Sequence, residues 1–159
     1  MAKGFVNLNR FKHGRAIKRT ANKKPIYRAA RESEEEGLNF VAKIDELTFG
    51  SIIVEGKKYC RDVLIFADGT IKKRKGGFLM FGSHKIKNQE LEELSQSQPE
   101  TIIVGTGTNG AAHITPEAES WAKGKNLSLL VQPSYDAIAR LNELAEQRKK
   151  VADLIHITC

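Results

Sequence analysis

Residues 105–110, with the sequence GTGTNG, are the first feature of the chain whose spacing could bind a ligand. They match G-x-G-x-x-G and directly follow the apolar run of residues 102–104. In a dinucleotide site such glycines let the backbone approach a pyrophosphate at the start of a helix. The residues that form this candidate site for a small ligand or an anion are Gly105, Thr106, Gly107, Thr108, Asn109 and Gly110.

Two departures from the fingerprint argue against a dinucleotide at this run. Four residues separate Gly110 from Thr115, where the next helix is expected to begin. The following strand ends at Gln132-Pro133, without the acidic residue that would bind a ribose. The favoured interpretation is a structural turn that needs a positive φ or a close backbone approach. We therefore predict no cofactor, and an anion or small ligand remains the alternative.

The second candidate for chemistry is His156-Ile157-Thr158-Cys159. Two ligands do not make a zinc site, so the sequence predicts no metal. A thiolate nucleophile would need a basic partner, which His84, His113 or His156 could supply only through the fold. No paired-carboxylate or Ser-His-Asp spacing is present elsewhere. We therefore predict an ordinary thiol at Cys159 and no catalytic residues.

Charge is divided unequally along the chain. Its 159 residues carry a net charge of +7, yet residues 1–31 hold ten basic and no acidic residues, and residues 32–159 sum to −3. Acid-free basic runs with interleaved aromatic residues are typical of arms that bind RNA or another polyanion. A solubilising tail is the alternative interpretation. The candidate polyanion-binding residues are Arg10, Lys12, Arg15, Lys18, Arg19, Lys23 and Lys24.

A second basic run, Lys72-Lys73-Arg74-Lys75, lies inside the part of the chain that looks folded. Successive side chains of a strand point to opposite faces, so these four cations cannot form one flat patch. We interpret them as a solvated hairpin tip or as protection of an edge strand. The apolar run Phe78–Phe81 that follows is expected to be a core strand.

The elements that must position these residues change character along the chain. A basic arm and an acidic linker occupy residues 1–43, and an α/β domain is predicted over residues 44–159. Its first part is β-rich, with strands at 47–55 and 58–66 that form a hairpin. Helices are expected from Asn88, Thr115 and Ser134, each capped by that residue, with buried strands at 102–104 and 127–131 and a final strand at 151–157. This order predicts a three-layer α/β fold in which a central, mostly parallel sheet is extended by N-terminal β-hairpins and preceded by the extended arm.

The compartment is indicated by what the sequence lacks. Its two cysteines, Cys60 and Cys159, are far apart and suggest no disulfide framework. No stretch approaches the roughly 20 apolar residues that span a bilayer. We therefore expect a cytoplasmic protein. An acid-free, Arg-containing N-terminus also resembles a transit peptide, so the mitochondrial matrix is the alternative.

An ordered set of short motifs over residues 44–159 resembles the adipogenesis-associated Mth domain family. That family includes uncharacterised archaeal and bacterial proteins and assembly factors for NADH:ubiquinone oxidoreductase (complex I). The resemblance implies a compact α/β domain and supplies no catalytic residues. The motifs that carry it are Phe49-Gly50-Ser51-Ile52, Gly56-Lys57-Lys58-Tyr59, Asp62–Phe66, Asp68-Gly69, Gly82–Ile86, Pro99-Glu100, Ile103–Gly107 and His156–Cys159.

These observations together favour a non-enzymatic binding protein of the assembly-factor type. Its domain would contact protein partners and its basic arm an anionic partner. A ribonucleoprotein component with an RNA-binding arm is one alternative. A small-ligand-binding domain, or an enzyme, that uses residues 105–110 is the other. The sequence does not indicate an oligomeric state.

Overall fold

The computed structural model describes residues 41–75 and 84–159. The predictions for the basic arm (Arg10 to Lys24) and for the Phe78–Phe81 strand lie outside these residues. Within them, no helix is long and apolar enough to cross a bilayer. The strands are β1 (Ile44–Thr48), β2 (Ser51–Val54), β3 (Lys57–Tyr59), β4 (Val63–Ile65), β5 (Ile71–Lys73), β6 (Lys85–Ile86), β7 (Thr101–Thr106), β8 (His113–Ile114), β9 (Ser128–Gln132) and β10 (Val151–His156), and the helices are α1 (Asn88–Ser95), α2 (Pro116–Gly124) and α3 (Ser134–Glu146).

A five-stranded sheet in the order β5-β4-β10-β7-β9 forms the centre of the domain. Its strands β10, β7 and β9 are parallel, whereas β4 and β5 are antiparallel to their neighbours. The predicted α/β class is confirmed, and the sheet is mixed because the antiparallel pair adds to one side of the parallel strands. A smaller antiparallel sheet, β1-β2-β3, holds the N-terminal hairpins.

Two hydrophobic clusters lie on opposite faces of the central sheet. Alternate residues of β10 point to opposite faces, so Val151 and Ile155 pack with α3 and the β1-β2-β3 sheet. Ala152 and Leu154 pack with α1 and α2 on the other face. All six residues of β10 are buried, as expected of a central strand covered on both faces. The predicted three layers are therefore present.

Turns divide the two long strands that the sequence predicts in the first hairpin. Gly50 has φ +81°, which ends β1 and starts β2, so residues 47–55 are not one strand. Residues 60–62 likewise separate β3 from β4. This second break matters for the site, because it moves β4 into the central sheet and places Asp62 at the end of β10.

Helix α2 begins as predicted, and α1 and α3 do not. The N-cap of α1 is Lys87, so the predicted cap Asn88 is instead the first helical residue. The Thr115 side chain accepts a hydrogen bond from the Ala118 N–H at 3.3 Å, so Thr115 is the N-cap of α2. In α3 the N-cap is Pro133, and Ser134 is the first helical residue, fully buried. The expectation that Ser134 caps α3 is wrong because its hydroxyl is bound to groups outside the helix. Strand β9 is also not buried as predicted, since it is an edge strand.

Asp153 is an isolated acid in the middle of the sheet. It is fully buried in β10 between Ile65 of β4 and Ile103 of β7. Neither carboxylate oxygen has a hydrogen-bond partner among the described residues. Burial disfavours the charged form and raises the pKa of this carboxyl well above its ordinary value of 3.8. Burial in the folded domain therefore favours the protonated form of Asp153.

The raised pKa of Asp153 predicts a decline of stability with rising pH. The folded state holds this proton more tightly than the unfolded chain does, so the stabilisation is complete below pH 3.8 and is lost as the pH rises toward the folded-state pKa. Each pH unit in that window costs up to about 1.4 kcal/mol. Urea unfolding of the wild type and Asp153→Asn from about pH 5 to about pH 8 should show a decline that the variant lacks. The exposed Asp136→Asn is the matched control, and parallel curves for wild type and Asp153→Asn would contradict the assignment.

Candidate functional site

The polar groups of the domain converge on one edge of the central sheet. The parallel strands β7, β9 and β10 all end there. Strand β4 begins at this edge and β5 ends at it, because both run antiparallel to the neighbouring strand. The edge therefore collects Asp62, Arg74, the 105–110 run, Gln132 and residues 156–159. We call it the carboxyl edge, the place where open α/β sheets commonly bind ligands.

The glycines of the 105–110 run are required by close packing. Gly105 lies within β7, and a Cβ there would come 2.7 Å from Ser134 Oγ and 2.9 Å from Ile155 Cδ1. Gly107 has φ +105°, and its Cβ would collide with the backbone of Thr158 and Cys159. This is the structural role that the sequence favoured for the run.

Two backbone N–H groups of the same run help to hold residues 156–159 in place, one of them through Ser134. The Gly107 N–H donates to Ser134 Oγ at 2.8 Å, and Ser134 Oγ donates to the His156 carbonyl at 2.6 Å. The Thr108 N–H donates to the Thr158 carbonyl at 2.9 Å. The two sequence features that looked separate, residues 105–110 and His156–Cys159, are thus one structural unit.

A cavity of about 370 Å³ lies between the ends of β7 and β9. The chain leaves β7 for α2 on one face of the sheet and leaves β9 for α3 on the other, so this is a topological switch point. Thr106 and Gly110 line the cavity, and Asn109 is exposed beside them. The Thr106 hydroxyl donates to the Gln132 carbonyl at 3.0 Å, while Oε1 of Gln132 is buried with no partner among the described residues.

Asp62 is the centre of a largely buried charged network at the other end of the edge. Its Oδ2 lies 2.7 Å from His156 Nδ1 and 3.1 Å from Arg74 Nη1, and its Oδ1 accepts the Ile157 N–H at 3.0 Å. Arg74 also donates through Nε to Glu90 and through Nη2 to the Lys85 carbonyl. The network joins β4, β5, β6, α1 and β10 at one point.

The network changes the ionisation of its members. Burial opposes the charge on Asp62, but the hydrogen bonds from His156, Ile157 and Arg74 outweigh it and hold the pKa of the carboxyl below its ordinary value. Burial also opposes the charge on Arg74, and the bonds to Glu90 and Asp62 outweigh it and raise the pKa of the guanidinium. Asp62 and Arg74 are therefore a largely buried ion pair.

This position of Arg74 corrects one prediction. We expected all four cations of residues 72–75 to be solvated or to protect an edge strand, and β5 is an edge strand. Lys72 fits, since it pairs with Glu93 at 3.0 Å with half its side chain exposed. Arg74 does not, because its side chain is only 9% exposed and its charge is neutralised inside the domain.

The structure places a basic side chain beside the Cys159 thiol. Of the three histidines considered, it is His84 whose Nε2 lies 3.0 Å from Cys159 Sγ, and the His84 ring lies edge-on to His156 at a centroid distance of 5.4 Å. The exposed His113 contributes only its backbone N–H, which donates to the His84 carbonyl at 2.7 Å. Sequence reasoning missed Asp62, Arg74 and the specific pairing of His84, because no spacing in the chain connects them.

The fold and this edge define a class of small α/β domain in which a glycine-rich loop packs against a His-x-Thr-Cys segment and helps to hold it by hydrogen bonds. Residues 44–156 match the family model described as "Protein of unknown function (DUF498/DUF598)", and the chain belongs to this family. The resemblance to the Mth domain family that the sequence suggested is thereby confirmed.

Solved structures of relatives agree with this assignment. MT938 is 31% identical with a TM-score of 0.62, and the match covers 74% of this chain and 99% of that one. The conserved hypothetical protein PH1505 from Pyrococcus horikoshii is 29% identical with a TM-score of 0.64 and the same coverage. A Mth938-like domain from Bordetella pertussis is 13% identical with a TM-score of 0.59 over 73% of this chain and 85% of that one, and it supports the fold alone.

Proposed function

We propose that this chain is a non-enzymatic binding protein of the assembly-factor type, whose domain docks on protein partners. The observation that carries the proposal is a group of exposed apolar side chains. Among the described residues, the large hydrophobic side chains that are exposed are Phe49 (69%), Tyr135 (53%) and Val131 (47%). We call these three residues the edge patch.

Two residues of the edge patch, Phe49 and Tyr135, lie next to residues that hydrogen-bond to the 156–157 segment. Phe49 precedes Gly50, whose N–H donates to the Ile157 carbonyl at 2.8 Å. Tyr135 follows Ser134, whose hydroxyl donates to the neighbouring His156 carbonyl. Val131 is in β9, three residues before Ser134. Exposed aromatic side chains gathered at one end of a domain are typical of protein-binding surfaces.

Strand β9 adds a second means of recognition. It pairs with β7 on one side only, among the described residues, so its other side offers backbone N–H and C=O groups. A partner could add a strand there, with Val131 giving an apolar contact beside the backbone pairing. The partners we propose are therefore proteins that present an apolar segment, such as subunits of a complex that is being assembled.

The basic arm would contact an anionic partner in the same assembly. Its +10 charge contrasts with the −3 of the rest of the chain, so the arm and the domain suit different surfaces. RNA binding through Arg10 to Lys24 is the alternative occupant. Both cysteines of the domain, Cys60 and Cys159, are free thiols, which suits the cytoplasm that we propose as the compartment or the matrix as its alternative.

Affinity purification from the source organism should separate these roles. We expect Phe49→Ser and Tyr135→Ser each to lower recovery of the main partner about tenfold or more, because exposed aromatic anchors dominate such interfaces. A full chain with Gln at the seven basic arm positions should lose only the anionic partner. Lys149→Ser, at the opposite edge of the sheet, is the matched control.

The same purification contains the contradicting outcomes. Equal recovery with Phe49→Ser, Tyr135→Ser and Lys149→Ser would rule out the edge patch as the docking surface. Loss of every partner after nuclease treatment would favour the ribonucleoprotein alternative. Circular dichroism of each variant confirms that the domain is folded.

A small-ligand site is the second candidate function, and the cavity between β7 and β9 is the observation that favours it. Its volume of about 370 Å³ lies within the range of ligand pockets. Gln132, whose Oε1 has no hydrogen-bond partner in the described part of the chain, and Glu119 both line the cavity and offer acceptor oxygens. A ligand with N–H or O–H donors suits it better than an anion does. The 105–110 run would contribute Thr106 and Gly110, with Gly105 and Gly107 positioning them.

A further inference from the structure

Three side chains with nitrogen or sulfur donor atoms meet at the carboxyl edge: His84, His156 and Cys159. One ligand atom from each lies within 4.8 Å of the other two. Thiolate sulfur and imidazole nitrogen are the donors that zinc prefers in proteins. We propose that these three residues bind one Zn²⁺ ion. The proposal goes beyond the protein-binding function and does not depend on it, and it replaces the expectation of no metal, which considered only two of the ligands.

The contacts of His156 direct Nδ1 toward Asp62 and leave Nε2 for a metal ion. A carboxylate can only accept a hydrogen bond, so Nδ1 of His156, 2.7 Å from Asp62 Oδ2, carries the ring proton in the neutral imidazole. The lone pair is then on Nε2, which lies 3.0 Å from the Thr158 hydroxyl. A carboxylate behind the ligating histidine is the usual partner in zinc sites, where it orients the ring and raises its basicity. Asp62 is fixed in that role by Arg74 and the Ile157 N–H.

The distances require only a small adjustment. Zinc at about 2.3 Å from sulfur and about 2.0 Å from nitrogen, with tetrahedral angles, separates neighbouring ligand atoms by roughly 3.5 Å. His84 Nε2 and Cys159 Sγ at 3.0 Å would move slightly apart, and atoms up to 4.8 Å apart would approach. His84 and Cys159 are partly exposed, so an ion can enter from solvent, whereas His156 is 7% exposed and forms the fixed side of the site.

The charge balance of the edge also favours a cation. Within the network, Arg74 brings one positive charge against the negative charges of Asp62 and Glu90. Binding replaces the thiol proton of Cys159 by zinc and releases that proton to solvent, while Nε2 of His156 gives up its bond to Thr158 for the metal. The dication then neutralises the thiolate and the remaining excess negative charge. Three protein ligands leave the fourth position for water, as in zinc sites that stay open.

Titration of the full chain with Zn²⁺ tests the site. The protein is freed of metal with a chelator, kept reduced, and titrated against a chromophoric competitor. We expect one tightly bound ion per chain, and Co²⁺ in its place should show a thiolate-to-metal charge-transfer band. Cys159→Ser and His84→Ala should each weaken binding by about 100-fold or more and abolish that band. The matched controls are Cys60→Ser and His113→Ala, which remove an exposed cysteine and an exposed histidine.

The zinc titration can fail or succeed independently of the protein-docking proposal. Absence of a stoichiometric ion, or binding that Cys159→Ser and His84→Ala leave unchanged, would overturn the site. So would loss of binding in the two control variants. Cys159→Ser is nearly isosteric at a partly exposed position, so the test does not depend on whether His84→Ala folds. Partner recovery by the Phe49 and Tyr135 variants does not enter this result.

Discussion

Replacing Gly107 with alanine is expected to cost at least about 4 kcal/mol of the free energy of unfolding, or to prevent folding. The added Cβ would lie 2.5 Å from the Thr158 carbonyl oxygen and 2.8 Å from the Cys159 carbonyl carbon, and φ is +105°. The obstructing atoms are backbone, so no side-chain rotation can relieve the collision. Residues 156–159 would have to leave the carboxyl edge, which would also separate Cys159 from His84. Urea unfolding followed by circular dichroism measures the effect.

Substitutions at two other glycines separate the two causes of this loss of stability, which are the strain of a positive φ and the collision of the added Cβ. Gly110→Ala keeps the strain of a positive φ of +73° but meets only Thr106 Oγ1 at 3.7 Å, so we expect a loss of about 1–2 kcal/mol. Gly124→Ala, at the end of α2, meets nothing within 4 Å and should be neutral or slightly stabilising. If Gly107→Ala were as stable as Gly110→Ala, the close packing of Gly107 against the backbone of Thr158 and Cys159 would be wrong.

Asp62→Asn is expected to lower the free energy of unfolding by about 3 kcal/mol, because it removes the charge from a largely buried ion pair. Asparagine keeps the shape of the side chain but leaves Arg74 without one of its two carboxylates. Its amide must also satisfy both His156 Nδ1 and the Ile157 N–H, which bind the carboxylate in the wild type. Chemical denaturation at neutral pH measures the loss.

A surface ion pair of the same strand provides the control. Lys72 and Glu93 are 3.0 Å apart but partly exposed, so Glu93→Gln should cost less than about 1 kcal/mol. If the two substitutions had equal effects, Asp62 would not be the organising group of the edge. The comparison is matched on the basic partner, since Lys72 lies in β5 and Arg74 directly follows it.

Local patterns predicted the elements of the fold whose cause is local. The Thr115-Pro116 start of α2 follows from a side chain that accepts its own helix N–H, and the buried strand at 102–104 follows from its apolar run. The failures have non-local causes. Ser134 was predicted to be an N-cap, but its hydroxyl hydrogen-bonds to the backbone of Gly107 and His156, which are far from it in sequence. The exposure of β9 depends on the order of strands in the sheet, which periodicity does not encode.

The candidate site shows the same limit more strongly. Residues 105–110 and 156–159 were visible as motifs, yet their union depends on β7 and β10 being parallel neighbours. Asp62 and His156 are separated by 94 residues, and His84 and Cys159 by 75. Motifs of defined spacing do not predict contacts between residues so far apart in sequence. What the sequence could supply was the inventory of side chains, and the topology decides which of them meet.

The position of β10 has a consequence for biosynthesis. β10 is the last strand along the described chain, yet it lies in the centre of the sheet, between β4 and β7. Until residues 151–156 leave the ribosome, β4 and β7 each present an unpaired edge and an uncovered apolar face. Such intermediates are slow to resolve and prone to aggregate, because long-range pairing must wait for the whole segment. The domain therefore cannot complete its central sheet until residues 151–156 are available to pair with β4 and β7.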